Sequence, residues 1–223
     1  ATALLITISL NCFVMVFLFK IKEKSKRLEA ETFFKEFVEL GREYPAVTTQ
    51  IAIFNELNVA ERIIRSVADL DYPEGKHFIQ VLDDSTDETY ELIQTVVADL
   101  KSKGVQISHL HRSDRKGYKA GALKESLKDC QTEFVAIFDA DFLPNPNFLR
   151  ATLANFTHEK VGVVQTRWEH LNRDYSLFTK AQAFHLDAHF TIEQFSRQEG
   201  DYYLNFNGTA GVWRKSCIID AGG

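Results

Sequence analysis

Asp139-Ala140-Asp141 ends the apolar run Phe134-Val135-Ala136-Ile137-Phe138. Side chains alternate along a strand, so aspartates two residues apart leave a sheet edge in the same direction. Paired carboxylates with open coordination positions suit a hard divalent cation such as Mg²⁺ or Mn²⁺, which can neutralise a phosphate-bearing substrate. An Asp pair at a strand end also serves as a plain turn and helix cap, so other residues must decide. Asn55-Glu56 and Asp83-Asp84-Ser85-Thr86-Asp87 follow apolar runs as well. Three acidic strand ends on one edge repel one another unless a cation or a donor-rich ligand sits there. Ser85 or Thr86 reads as the N-cap of a following helix, which leaves Asp83 unexplained.

Arg112-Ser113-Asp114-Arg115-Lys116-Gly117-Tyr118-Lys119-Ala120-Gly121-Ala122 is a basic, glycine-containing approach to a helix start. Exposed backbone N–H groups with Lys and Arg nearby make an anion site. A solvated loop has the same composition, but opposite an acidic metal site the segment reads as a diphosphate clamp. Phe206-Asn207-Gly208-Thr209-Ala210-Gly211 reads as a glycine-rich turn, of the kind that lines a pocket or closes an ordinary hairpin. His185 and His189 are four apart on an aromatic-rich helical pattern, Tyr175 to Gln198. A zinc-protease motif needs Glu after the first His; Leu186 stands there, so core or interface histidines are expected.

These residues need a scaffold. Strand patterns over residues 47–54, 78–82, 105–110, 134–138 and 161–166 alternate with helical patterns over residues 59–70, 86–102, 120–130 and 147–156. Short buried strands alternating with helices predict an α/β domain with a mostly parallel sheet flanked by helices. Ligands on such sheets bind beyond the carboxyl ends of the strands.

The chain has 223 residues, 45% hydrophobic and 26% charged, enough for one sizeable α/β domain with an appendage. Its net charge of -5 disfavours a general nucleic-acid partner. Cys12, Cys130 and Cys217 are widely spaced without a C-x-x-C pair, so neither a disulfide framework nor a zinc site is indicated, and a reducing compartment fits. Residues 1–19 carry no charge and, as a helix, reach about 28 Å, close to a bilayer's hydrocarbon thickness. They are expected to form one transmembrane helix. Lys20, Lys22, Lys24, Lys26 and Arg27 follow, which places the remainder on the cytosolic side. Residues 20–43 are expected to be a basic and amphipathic connector, with Phe33, Phe34, Phe37, Val38 and Leu40 at helical spacing. Residues 44–223 form the expected catalytic domain.

With these residues in view, the chain resembles the processive family 2 glycosyltransferases, in particular the cellulose-synthase-like enzymes that make β-1,4-linked mannan or glucan. The resemblance rests on an ordered set: Phe54-Asn55-Glu56, Gln80 to Asp87, Lys119-Ala120-Gly121-Ala122, Phe138 to Asp141, Val164-Gln165-Thr166-Arg167-Trp168 and Phe206-Asn207-Gly208-Thr209. It implies a GT-A (Rossmann-like) fold and metal-dependent, inverting hexose transfer from UDP-glucose or GDP-mannose to a growing β-linked polysaccharide. Glu56, Asp83, Lys119 and Asp139 are implied in donor binding, with Asp83 at the base and Lys119 near the nucleotide or diphosphate. Asp139 and Asp141 are implied as ligands of Mg²⁺ or Mn²⁺, and Phe206, Asn207, Gly208 and Thr209 as the acceptor path. Membrane lipid is the further implied partner. Ala52 stands where many relatives have proline.

The resemblance also implies a T/S-E-D motif carrying the general base and a later Q-x-x-R-W motif, both expected after Gly223. The chain accordingly reads as an amino-terminal fragment whose own residues hold no base, and Gln165-Thr166-Arg167-Trp168 does not substitute for the later motif. A non-catalytic, truncated nucleotide-sugar-binding module is the alternative. A phosphatase of the haloacid dehalogenase type is remote, because it expects Thr or Val where Leu143 stands.

Overall fold

The computed structural model describes residues 2–39 and 41–223; within the first helix, the side chains of residues 2–5, 7, 8, 27, 29–31, 33, 34, 36 and 38 are outside that description. The chain divides into two compact units, one of residues 1–36 with 167–206 and one of residues 37–166 with 207–223.

The second unit carries a six-stranded sheet. Its strands are β1 (Val47–Ile53), β2 (His77–Asp83), β3 (Ile107–His111), β4 (Phe134–Asp139), β5 (Val163–Gln165) and β6 (Gly211–Arg214), in the spatial order β3-β2-β1-β4-β6-β5. The pairs β3–β2, β2–β1 and β1–β4 are parallel, whereas β6 runs antiparallel between β4 and β5. The sheet is therefore mixed, and β6 follows directly on the turn expected over residues 206–211, in a stretch for which no strand was expected.

The central strands are almost wholly buried, with Val47, Ile51, Val81, Val135 and Ala136 all at 0% exposure. That pattern fits a sheet covered by helices on two sides. Ala60, Ile63, Ile64 and Val67 form the buried stripe of α2 (Ala60–Ala68), at the spacing of one helix face. Ile93, Val96, Val97 and Leu100 do the same in α3 (Thr89–Ser102). Phe138 is 1% exposed and packs 4.8 Å, centroid to centroid, from Phe148 of α5 (Phe148–Leu153). Burying each such ring contributes roughly 1.5–3 kcal/mol. The helix α4 (Tyr118–Ser126) is tied to the sheet by polar bonds: Gln50 Nε2 donates to Gln80 Oε1 at 2.9 Å and to Ser126 Oγ at 2.6 Å. This network sets α4, and with it Lys119, over the carboxyl edge of β1 and β2. A short helix, α8 (Lys215–Asp220), follows β6.

The other unit is helical. Its first element is α1 (Thr2–Glu39), and a second helical run comprises α6 (Leu177–Ala188), a π-helical segment (His189–Gln194) and α7 (Phe195–Glu199). A reciprocal capping box between Ser176 and Thr179 starts α6. Met15 is buried, the buried Ser196 hydroxyl donates to its carbonyl at 2.6 Å, and Phe19 meets Phe195 edge to face at 5.5 Å.

Two expectations for the amino-terminal region need revision. The uncharged run and the basic cluster are not separate elements, because α1 is continuous through both. Among the described residues, no helix is long and apolar enough to cross a membrane, so the transmembrane helix is not found. Part of that apolar run, residues 1–5, 7 and 8, falls outside the described side chains. In the connector, the side chains of Phe33, Phe34 and Val38 likewise lie outside the description, as does Leu40 altogether, while Phe37 packs on Tyr44 at 4.8 Å.

Candidate functional site

From β1 the chain steps outward through β2 to β3 and then returns to place β4 on β1's other side. The β1/β4 junction is thus a topological switch point, where crevices form at the strand ends of α/β sheets. A cleft of about 310 Å³ opens there, lined by Phe54 and Glu56 after β1, Asp84 after β2, Arg115 and Lys119, and Asp139 and Asp141 at the end of β4.

Asp139 is the last residue of β4 and pairs with Ala52 of β1. Its backbone N–H donates to Thr209 Oγ1 at 3.0 Å, and its carboxylate forms an ion pair with the Lys119 ammonium. Lys119 also donates to the Gly208 carbonyl at 2.6 Å. The fold therefore brings Lys119, Asp139, Gly208 and Thr209 together from three distant stretches of chain. Asp141 is exposed in the same cleft, and its carbonyl accepts from Arg62 at 3.2 Å. Asn207 donates its N–H to Gln165 Oε1 at 3.0 Å, whereas Phe206 belongs to the helical unit.

The basic loop is built rather than loose. Arg112 forks onto both oxygens of Asp84, at 2.7 and 2.6 Å, and also donates to the Lys116 and Tyr118 carbonyls. The hydrogen bonds to the Asp84 carboxylate raise the Arg112 pKa above its ordinary value. Gly117, at φ +74°, supplies the left-handed turn into α4, and a Cβ on Gly121 would lie 2.0 Å from the Lys116 carbonyl oxygen. Arg115 stacks over the Phe54 ring, 3.3 Å from its centroid, and faces Tyr118 at 5.2 Å. A cationic guanidinium is thus held flat at the mouth of the cleft. Asn55, at φ +54°, joins the β1 and β2 loops by accepting from the Thr86 N–H at 2.9 Å while its own N–H donates to Ser85 Oγ at 3.0 Å.

Asp83 was expected at the donor's base. It is fully buried and does not line the cleft, which takes Asp84 from this strand end instead. The Asp83 Oδ1 atom accepts from the Ser85 N–H at 2.8 Å; Oδ2 lies 2.8 Å from His109 Nε2 and 3.2 Å from His111 Nδ1. Burial pushes this carboxyl up, but the bonds from His109 and Ser85 outweigh it and hold the group below the usual carboxylate range. Sequence reasoning passed over His109 and His111; their i, i+2 spacing on a strand was the available signal. Of the other pair, His185 is exposed and His189 bonds Glu193 at 3.0 Å.

Residues 49–218 match the family described as Glycosyl transferase family 2. The chain belongs to that family. A family 2 domain also accounts for the ordered strand-end motifs, and the haloacid dehalogenase alternative falls with it. Glucomannan 4-beta-mannosyltransferase 1 of Oryza sativa subsp. japonica is 45% identical over 191 residues, which cover 83% of this chain and 37% of that protein. Glucomannan 4-beta-mannosyltransferase 9 of Arabidopsis thaliana is 43% identical over 208 residues, covering 91% and 39%. The family 2 chain thus spans under two-fifths of the length of these relatives. Among solved structures, the mannosyltransferase PcManGT from Pyrobaculum calidifontis, in complex with GDP-Man and Mn²⁺, superposes with a TM-score of 0.65 at 21% identity, covering 95% of this chain and 58% of that one. The shared fold is GT-A.

Proposed function

We propose that the sheet unit holds the donor of a membrane-associated, inverting hexosyltransferase that extends a β-linked polysaccharide. The observation that carries this reading is the switch-point cleft, in which Asp139 and Asp141 face a basic loop anchored by Arg112. The 45% identity to glucomannan 4-beta-mannosyltransferases favours GDP-mannose over UDP-glucose as donor.

The oxygen-rich edge fits a hard divalent cation, Mg²⁺ or Mn²⁺, and the Lys119 ammonium already set on Asp139 shows that this edge accommodates positive charge. When bound, such a cation stabilises negative charge on the leaving diphosphate. Lys119 and Arg115 supply cationic donors for the donor's phosphates, and Glu56 offers an acceptor toward its nucleoside. In the transfer, an acceptor hydroxyl oxygen bonds to the anomeric carbon as the bond to the diphosphate breaks, with its electron pair passing to the phosphate oxygen. The hydroxyl proton passes to a general base as the new bond forms. Asn207, Gly208 and Thr209, beside Asp139, suit the acceptor side.

Calorimetric titration of GDP-mannose and UDP-glucose tests this. Binding should be at least about tenfold tighter in Mn²⁺ than in EDTA, roughly 1.4 kcal/mol, and Asp141→Asn should abolish that difference. Equal affinities with and without metal in both proteins would overturn the reading.

We propose further that α1 lies against lipid with the sheet unit on the cytosolic side. Leu10, Phe13, Phe17 and Ile21 are exposed on α1, and Lys20, Lys22, Lys24, Lys26 and Arg27 follow or accompany them. Protease treatment of sealed, oriented vesicles should digest residues 44–223 from the cytosolic face alone. Digestion only from the opposite face would reverse the topology.

A further inference from the structure

We propose that Asp83, His109 and His111 form a site for a transition-metal ion of the Zn²⁺ class, separate from the Asp139–Asp141 edge. The register makes the cluster. In the parallel β2–β3 pair, Val81 stands beside His109 and Asp83 beside His111. His109 and His111 are two residues apart, so both rings project to the face that Asp83 occupies. One ligand atom from each residue, two imidazole nitrogens and one carboxylate oxygen, lies within 4.8 Å of the others.

The donor set chooses the metal. Imidazole nitrogen with a single carboxylate favours Zn²⁺, Co²⁺ or Ni²⁺, whereas Mg²⁺ and Ca²⁺ need oxygen ligands. Three protein ligands leave a fourth, open position, and the exposure of His111, at 35% of its side chain, admits both ion and water. The surroundings are already ordered. The Ser85 N–H occupies Asp83 Oδ1 and turns Oδ2 toward the two rings. Tyr90 packs 5.4 Å from His109 and 4.6 Å from His111, limiting how far either ring can swing. Oriented ligands of this kind raise metal affinity.

In the structure as described, both ring nitrogens bond the one Asp83 oxygen. An ion takes the place of those two hydrogens, and the ring protons move to His109 Nδ1 and His111 Nε2, so each imidazole enters neutral. The site is distinct from the donor cleft, because Asp83 is fully buried and projects away from Asp84, the neighbouring residue that lines that cleft. A bound ion would cross-link the ends of β2 and β3, next to the Asp84–Arg112 fork that anchors the basic loop.

Co²⁺ titration of the whole chain, read by visible d–d absorption and reversed by Zn²⁺, tests the site. With excess Mg²⁺ present to fill the oxygen-rich edge, the expected result is saturation at about one Co²⁺ per chain in the wild type, with affinity about tenfold or more weaker in both His111→Gln and His109→Gln. The double variant Asp139→Asn/Asp141→Asn should titrate as the wild type does, which separates this site from the donor cleft. Circular dichroism confirms folding of each variant, and His111 is exposed enough that its replacement leaves the core intact. Absence of a Co²⁺ spectrum in the wild type, full retention in folded His111→Gln, or loss in the double Asn variant would each overturn the proposal.

Discussion

Asp83→Ala destabilises the sheet unit by about 2–5 kcal/mol, because it strands donors that the carboxylate now satisfies. The Ser85 N–H and the His109 ring are both enclosed, and leaving a buried donor unpaired costs ~1–3 kcal/mol each. His111 is more exposed and recovers its bond from water. A shift of the urea midpoint at unchanged slope, followed by Trp213 fluorescence in a Trp168→Phe background, reports the effect on this unit. The double variant Asp83→Ala/His109→Ala should cost less than the sum of the single changes, since removing both partners of a bond leaves fewer orphaned groups. A cost below ~0.5 kcal/mol for Asp83→Ala, within the range of an ordinary surface change, would show that the buried cluster does not hold the ends of β2 and β3 together.

Acidification from pH 7 to pH 4 removes about 3 kcal/mol of stability through His77. Its ring, at the start of β2, bonds Thr49 Oγ1 at 2.8 Å, and burial depresses its pKa from 6.5 to about 4. Between those values the unfolded chain holds a proton that the folded chain refuses. The contribution is therefore fully present above pH 6.5 and is lost as pH falls toward 4. Asp83 acts in a lower window: its pKa sits below 3.8 in the fold, so its contribution is lost only under stronger acid. Urea midpoints between pH 7 and 4.5 should fall in the wild type and flatten in His77→Gln. Parallel slopes in the two proteins would place the acid sensitivity elsewhere.

Much of the chemistry at the cleft was legible from residues near one another in the chain. An apolar run closing on Asp139-Ala140-Asp141 specifies a buried strand that delivers carboxylates to an edge, because pleat and burial are set by local pattern. The basic approach to α4 was legible for the same reason: Gly117 and the cations around it mark a tight, basic turn into a helix. The alternation of strand and helix patterns called for helices on both sides of a mostly parallel sheet, and β1 to β4 are arranged that way.

Three matters were decided only by tertiary structure. β6 is four residues long, begins at a glycine and finds β4 far back along the chain, so no local periodicity announces it. Asp83 and Asp84 are adjacent and must project to opposite sides; which one enters the cleft depends on the partners waiting on each side. His109 and His111 of β3 capture the first and Arg112 receives the second. Lys119, Asp139 and Gly208 meet because α4, β4 and the turn before β6 converge on one strand edge. Sequence by itself determined which side chains carry charge and which stretches bury. Long-range pairing decided which of those charges face one another, because the pleat fixes only relative directions and packing chooses the absolute ones.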